Sequence, residues 1–160
     1  MSSSGASGAT TARQVIDALA EHEDAIGDLY AAYGMCFSQA ASFWQGLSAE
    51  EYGHGSLMRD LAAADGESAT FIDERRFSLP ELHAATRAVR DQMEVAENSR
   101  LTLVEALETA LDFEQQIVER DAYQVFAGDS TNVAGVLNHL RVSSERHRDS
   151  IRDRLMRQPR

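Results

Sequence analysis

The sequence predicts an all-α protein, a four-helix bundle with one long crossover that carries a short extra helix. Three observations predict it. Apolar residues recur at steps of three and four over four long segments, the period of a helix face. No Val/Ile/Thr-rich run alternates with period two, so no sheet is expected. The turn signals fall so that helices one and two, and helices three and four, are each joined by a short break, while a longer connection lies between the pairs.

The first helix is expected over about 11–39, with Thr10 or Thr11 as its N-cap. Its stripe runs Ile16, Leu19, Glu23, Ile26, Tyr30, Tyr33, Phe37. After a break near Ala40–Ser42, the second helix covers about 43–65 and stops at Asp65-Gly66. Its stripe runs Phe43, Leu47, Glu51, His54, Met58, Leu61. Residues 66–78 read as irregular; Ser78 then caps a shorter helix over about 79–95, with Pro80 in its first turn. The third long helix covers about 100–127, with stripe Val104, Leu107, Leu111, Glu114, Val118, Asp121, Val125, and ends at Gly128. A turn with a cap at Thr131 or Asn132 leads to the fourth, about 133–156, with stripe Val133, Val136, Leu140, Ser144, His147, Ile151, Leu155. Residues 1–10 read as a flexible tail before a single domain over 11–157.

Composition narrows the function classes. At 160 residues with 43% hydrophobic and 26% charged content, the chain suits one globular domain. A net charge of −11 argues against nucleic acid, which wants a basic stripe, and is compatible with attracting cations. The single cysteine, Cys36, excludes an internal disulfide and a Cys-x-x-Cys metal site. No apolar run reaches membrane-spanning length, and the N-terminal stretch has no apolar secretion core, so the expectation is a cytoplasmic protein without a membrane partner.

The informative feature is what interrupts the stripes. Glu23, Glu51, His54, Glu114 and His147 stand where leucines belong, and a buried carboxylate is costly unless it is paired or binds a cation. Glu51-Tyr52-Gly53-His54 is a Glu-x-x-His motif whose three-residue step puts both side chains on one face. Glutamate oxygens with imidazole nitrogens suit iron or manganese, with zinc as an alternative. Singly, each residue has a plainer reading: Glu51 and His54 as a satisfied buried pair, Glu23 and Glu114 hydrogen-bonded to a tyrosine or histidine. Together, three carboxylates converging with two histidines would repel one another unless protonated or neutralised by a metal.

These residues resemble the ferritin-like superfamily, and within it the rubrerythrin-like branch, over roughly residues 12–157. Glu23 with Tyr30 is similar to the helix-one signature of that family. The run 43–54, FWQGLSAEEYGH, is similar to its helix-two signature, and 105–114, EALETALDFE, to helix three with Glu114 in the ligand position. The resemblance implies a ferritin-like four-helix bundle holding one or two irons, with manganese or zinc as alternatives. Glu23, Glu51 and His54 would hold one metal, and Glu51, Glu114 and His147 the second, with Glu51 the bridge. It implies ferroxidase- or peroxidase-type chemistry, a separate electron donor and a homodimer.

One departure stands out. The residue three before His147 is Ser144, where the family has a bridging Glu. Glu145 is the nearest carboxylate, but in a regular helix it stands roughly 200° from His147. Glu145 (through a π-bulge) and Ser144 are the lesser ligand candidates, and a one-metal site would be built on Glu23, Glu51 and His54. Tyr30, Tyr33 and Asp121 are candidates to support the centre, and Tyr52 could serve the same way. The alternative function is a catalytically inactive ferritin-like scaffold or interaction module, with one structural or sensing metal or none. His22, His83 and His139 lie off the stripes and read as surface or secondary contacts, Cys36 as a packed thiol, and Trp44, Phe43 and Phe37 as core aromatics. The arginines Arg141, Arg146, Arg148 and Arg152 read as a solvated face of i,i+4 pairs.

Overall fold

The computed structural model describes residues 4–64, 71–72, 79–119, 126–127 and 131–159. Five α-helices account for nearly all of them: α1 Ser4–Cys36, α2 Ala41–Ala64, α3 Leu79–Asn98, α4 Leu103–Glu119 and α5 Thr131–Met156. α1 begins at Ser4, inside the stretch expected to precede it. It stops where Phe37 leaves the helical region (φ −122°, ψ 84°), and one 3₁₀ turn, Ser38–Ala40, leads into α2. The break therefore falls a few residues earlier than the turn signals suggested. α4 starts with a reciprocal cap: Thr102 N–H donates to Glu105 Oε2 (2.8 Å) and Glu105 N–H to Thr102 Oγ1 (3.2 Å).

The third long helix is shorter than its expected 100–127. Phe126–Ala127 (β2) instead pairs antiparallel with Phe71–Ile72 (β1). Two-residue strands are too short to show a period-two alternation and so leave no periodic sign. The expected caps and stops at Ser78, Asp65-Gly66 and Gly128, and Asp121 and Val125, lie outside the described residues.

α1 packs along α2 and along α3, α4 packs along α5, and α2 touches α5. The core is the predicted stripes: Ile16, Leu19, Ile26, Leu47, Met58, Leu61, Leu107, Leu140 and Ile151 are buried, with Tyr30, Tyr33 and Trp44 fully enclosed. Each such large side chain contributes about 1.5–3 kcal/mol by leaving water. Trp44 anchors an aromatic cluster, its ring 4.9 Å from Tyr33, 5.1 Å from Phe43 and 5.4 Å from Tyr30. Helices α1 and α2 approach closely at Gly55, where a Cβ would collide with the Asp24 carboxylate and lie 3.2 Å from the Ala20 carbonyl oxygen. No helix among the described residues is long and apolar enough to cross a membrane.

The connecting helix α3 does more than span the crossover. Its buried face, Leu82, Thr86, Val89 and Ala96, docks onto α1. This corrects two expectations. His22 is buried, not a surface residue: its Nδ1–H donates to Thr86 Oγ1 (3.1 Å), whose own hydrogen goes to the Leu82 carbonyl (3.0 Å). Cys36 is exposed, not packed, with its thiol directed to the Ala96 carbonyl at 3.4 Å.

Candidate metal centre

The interruptions of the four stripes meet in one buried polar cluster. Glu23 comes from α1, Glu51 and His54 from α2, Glu114 from α4 and His147 from α5, and each is at most 3% exposed. They form two triads that share Glu51. Glu23, Glu51 and His54 bring one ligand atom each within 4.8 Å of one another, and so do Glu51, Glu114 and His147. The His54 and His147 rings stack 5.5 Å apart. The i,i+3 step in α2 lets Glu51 and His54 face inward together, with His54 Nδ1–H donating to Glu51 Oε2 at 3.0 Å.

Charge accumulation explains the titration of the cluster. Burial pushes the Glu51 carboxyl up to about 8, helped by Glu114 and Glu23 and opposed by the two histidines. Burial pulls both histidines down, but the carboxylates outweigh it. Glu23 and Glu51 raise His54 to about 9, and Glu114 and Glu51 raise His147 to about 11. In the metal-free protein the imidazolium groups thus stand where divalent cations would provide the positive charge. Nearby His22 is held below its ordinary value by burial, against the pull of Glu23 and Glu114.

The donor set fits a metal, and its orphaned atoms show it. Glu51 Oε1, Glu114 Oε2 and His147 Nδ1 are buried without a hydrogen-bond partner. Glu51 Oε1 and His147 Nδ1 are only 2.5 Å apart, so the short contact is out of hydrogen-bond alignment. Such atoms are costly to bury unless something binds them. Three oxygen-bearing and two nitrogen-bearing ligands suit iron, manganese or zinc.

The supporting residues divide clearly. Tyr30 donates its hydroxyl to Glu114 Oε1 at 2.7 Å, and burial with the adjacent Glu114 raises its pKa well above the ordinary value. Tyr33 does not reach the cluster; it packs against Trp44 and Phe37, its hydroxyl without a hydrogen-bond partner. Burial lifts its pKa to about 12. Tyr52 lies on the surface, donating to Asp28 at 2.5 Å. Ser144 is buried in the fourth stripe as expected. Glu145 is turned outward into an i,i+4 pair with Arg141 (2.9 Å), because α5 stays α-helical from Thr131 to Met156 and no bulge rotates it inward. His83 is exposed; His139 is exposed too, with its ring 6.5 Å from that of His54.

Two participants were not foreseen. His147 Nε2–H donates to Glu50 (2.9 Å), which Arg146 also contacts, and His54 Nε2–H donates to Ser143 Oγ (2.9 Å). Burial disfavours the ionised Glu50, but His147 and Arg146 outweigh it and hold its pKa low. Arg146 therefore reaches across to α2; Arg141 keeps the expected i,i+4 pair with Glu145, while Arg152 faces Asp149 three residues back at 3.5 Å. The available signal was position: Glu50 and Ser143 each stand four residues before a histidine, one turn away on the same side of the helix. The chain matches no protein-family model, no curated protein and no solved structure.

Proposed function

We propose that this chain is a ferritin-like, rubrerythrin-like non-haem iron protein whose buried centre performs ferroxidase- or peroxidase-type chemistry. The observation that carries the reading is the pair of Glu/His triads sharing Glu51, supplied by four helices and buried in an apolar core. Glu23, Glu51 and His54 would hold one ion and Glu51, Glu114 and His147 the other, with iron the expected metal and manganese or zinc the alternatives. Bound ferrous iron would supply the electrons that reduce peroxide or dioxygen. The chain's own part is to place the ligands, to exclude bulk water through the surrounding core, and to hold Glu114 through Tyr30. Electrons would return from a separate donor protein, and a homodimer is the proposed assembly.

A second reading is favoured by Ser144. With no carboxylate there and Glu145 turned outward, the protein would be an inactive scaffold of the same fold, holding one structural metal or none. The two readings separate when ferrous-loaded protein is mixed anaerobically with peroxide, and separately with dioxygen. Consumption of the oxidant with growth of a ferric absorbance supports the catalytic reading. No reaction in the parent, together with activity gained in Ser144→Glu, supports the scaffold.

A further inference from the structure

We infer that the two metal positions are unequal, and that the one formed by Glu51, Glu114 and His147 is a preformed divalent-cation site that fills first. This inference rests on the metal-binding reading above and reverses the expectation that a single metal would sit on Glu23, Glu51 and His54.

The ligand atoms of the His147 position already face one another with no aligned hydrogen bond among them. Glu51 Oε1, Glu114 Oε2 and His147 Nδ1 are buried without an aligned hydrogen bond, and His147 Nδ1 holds Glu51 Oε1 only through a 2.5 Å ion contact. The other polar atom of each side chain is tied down. Glu51 Oε2 accepts from His54 Nδ1–H (3.0 Å), Glu114 Oε1 accepts from Tyr30 (2.7 Å), and His147 Nε2–H donates to Glu50 (2.9 Å). Ring flips and carboxylate rotations are thereby restrained with the open atoms turned to one another. An entering cation takes the place of the proton in the His147–Glu51 ion contact, and because the outer atoms are already tied down little of its binding energy goes into ordering the ligands.

The His54 position differs on two counts. His54 Nδ1, its only nitrogen facing the centre, is engaged with Glu51 Oε2 and lies 3.4 Å from Glu23 Oε2, so a cation must break that hydrogen bond to bind. The outer nitrogens also differ. His147 is backed by the carboxylate of Glu50 and His54 by the neutral hydroxyl of Ser143. An anionic partner makes an imidazole the stronger metal donor. The arrangement is reciprocal in place and unequal in charge. Glu50 and Ser143 each precede the histidine of their own helix by four residues, and each supports the histidine of the other helix.

The test is calorimetric titration of the full chain with zinc, comparing the parent with Glu114→Gln, Glu23→Gln, Glu50→Ala and Ser143→Asp. The expected result is that Glu114→Gln abolishes the tightest binding step and Glu23→Gln leaves it within about two-fold. Glu50→Ala should weaken it by about 10–100-fold, the usual effect of losing an outer partner. Ser143→Asp should tighten the weaker step. Should Glu114→Gln fail to fold, Glu50→Ala, at the surface end of the network, decides. Loss of the tightest step in Glu23→Gln but not in Glu114→Gln, or equal loss in both, overturns the inference while leaving the metal reading intact. A folded parent that binds no zinc overturns both.

Discussion

Replacing Glu51 by glutamine should stabilise the metal-free protein while abolishing its metal binding. Glu51 is 1% exposed, sits between Glu23 and Glu114, and has its pKa pushed from 4.5 up to about 8. That upward shift is the net result after both histidine contacts have been counted, so the folded state prefers the neutral carboxyl. At pH 7 the unfolded chain ionises this group and the folded chain largely keeps the proton. Holding it there costs about 1.36 kcal/mol for each pH unit above 4.5, or about 3 kcal/mol. Glutamine has nearly the same shape and carries no such cost. For a chain of this length about 3 kcal/mol corresponds to a rise of roughly 6–12 °C in melting temperature. The assay is thermal unfolding by circular dichroism in the presence of a chelator, repeated with zinc. Metal reverses the order once zinc reaches about 1,000 times its dissociation constant, where it stabilises only the parent, by about 4.1 kcal/mol. A metal-free Glu51→Gln protein that melts below the parent would refute the reasoning. It would mean that Glu51 belongs to a self-satisfied hydrogen-bond network in which the carboxylate is the favoured form.

Three further outcomes are expected. Tyr30→Phe removes the hydroxyl that donates to Glu114 Oε1 and should cost about 1–3 kcal/mol in urea unfolding of the metal-free protein; a loss below about 0.5 kcal/mol would count against the contact. Thr86→Val takes away the acceptor of the buried His22 Nδ1–H and should cost a similar amount, about 1–3 kcal/mol, by loosening α3 on α1. The pH dependence should have opposite signs with and without metal. His54 and His147 have raised pKa values, so their stabilisation is complete below 6.5 and fades as pH rises through about 9 and about 11; Glu51, raised to about 8, acts in the same direction. The metal-free protein should therefore lose stability from pH 6.5 to 9, while zinc affinity, which needs neutral imidazoles and an ionised Glu51, should rise. Parallel trends in the two would contradict the assignment of these side chains as ligands.

The helices and the inward faces were legible because a stripe at helical spacing has one physical use, to leave water. Ile16, Leu47, Leu107 and Leu140 are buried for that reason, and Glu23, Glu51, His54, Glu114 and His147 go in with them because they share those faces. The contacts that depend on a second helix were not legible. The one-turn step from Glu50 to His54 is a faint local hint, but the partner of Glu50 is set only when α5 brings His147 within 2.9 Å. His22 looked like a surface residue because its neighbour Thr86 is on α3, and the docking of that helix on α1 is a long-range event. The place of Glu145 depends on the regularity of the helix, and the unbroken α5 turns it outward. The Phe126–Ala127 pairing with Phe71–Ile72 was invisible for a different reason: two residues carry no periodicity.

We propose that four helices bury these five side chains in order to hold metal. The most direct test is iron retained per chain after anaerobic ferrous loading and desalting, for the parent and for Glu51→Gln, the one substitution common to both positions. Iron retained by the parent and lost in the variant is the predicted result. A folded, helical parent that retains none would contradict the account and leave a core whose glutamates are satisfied by protons and histidines alone.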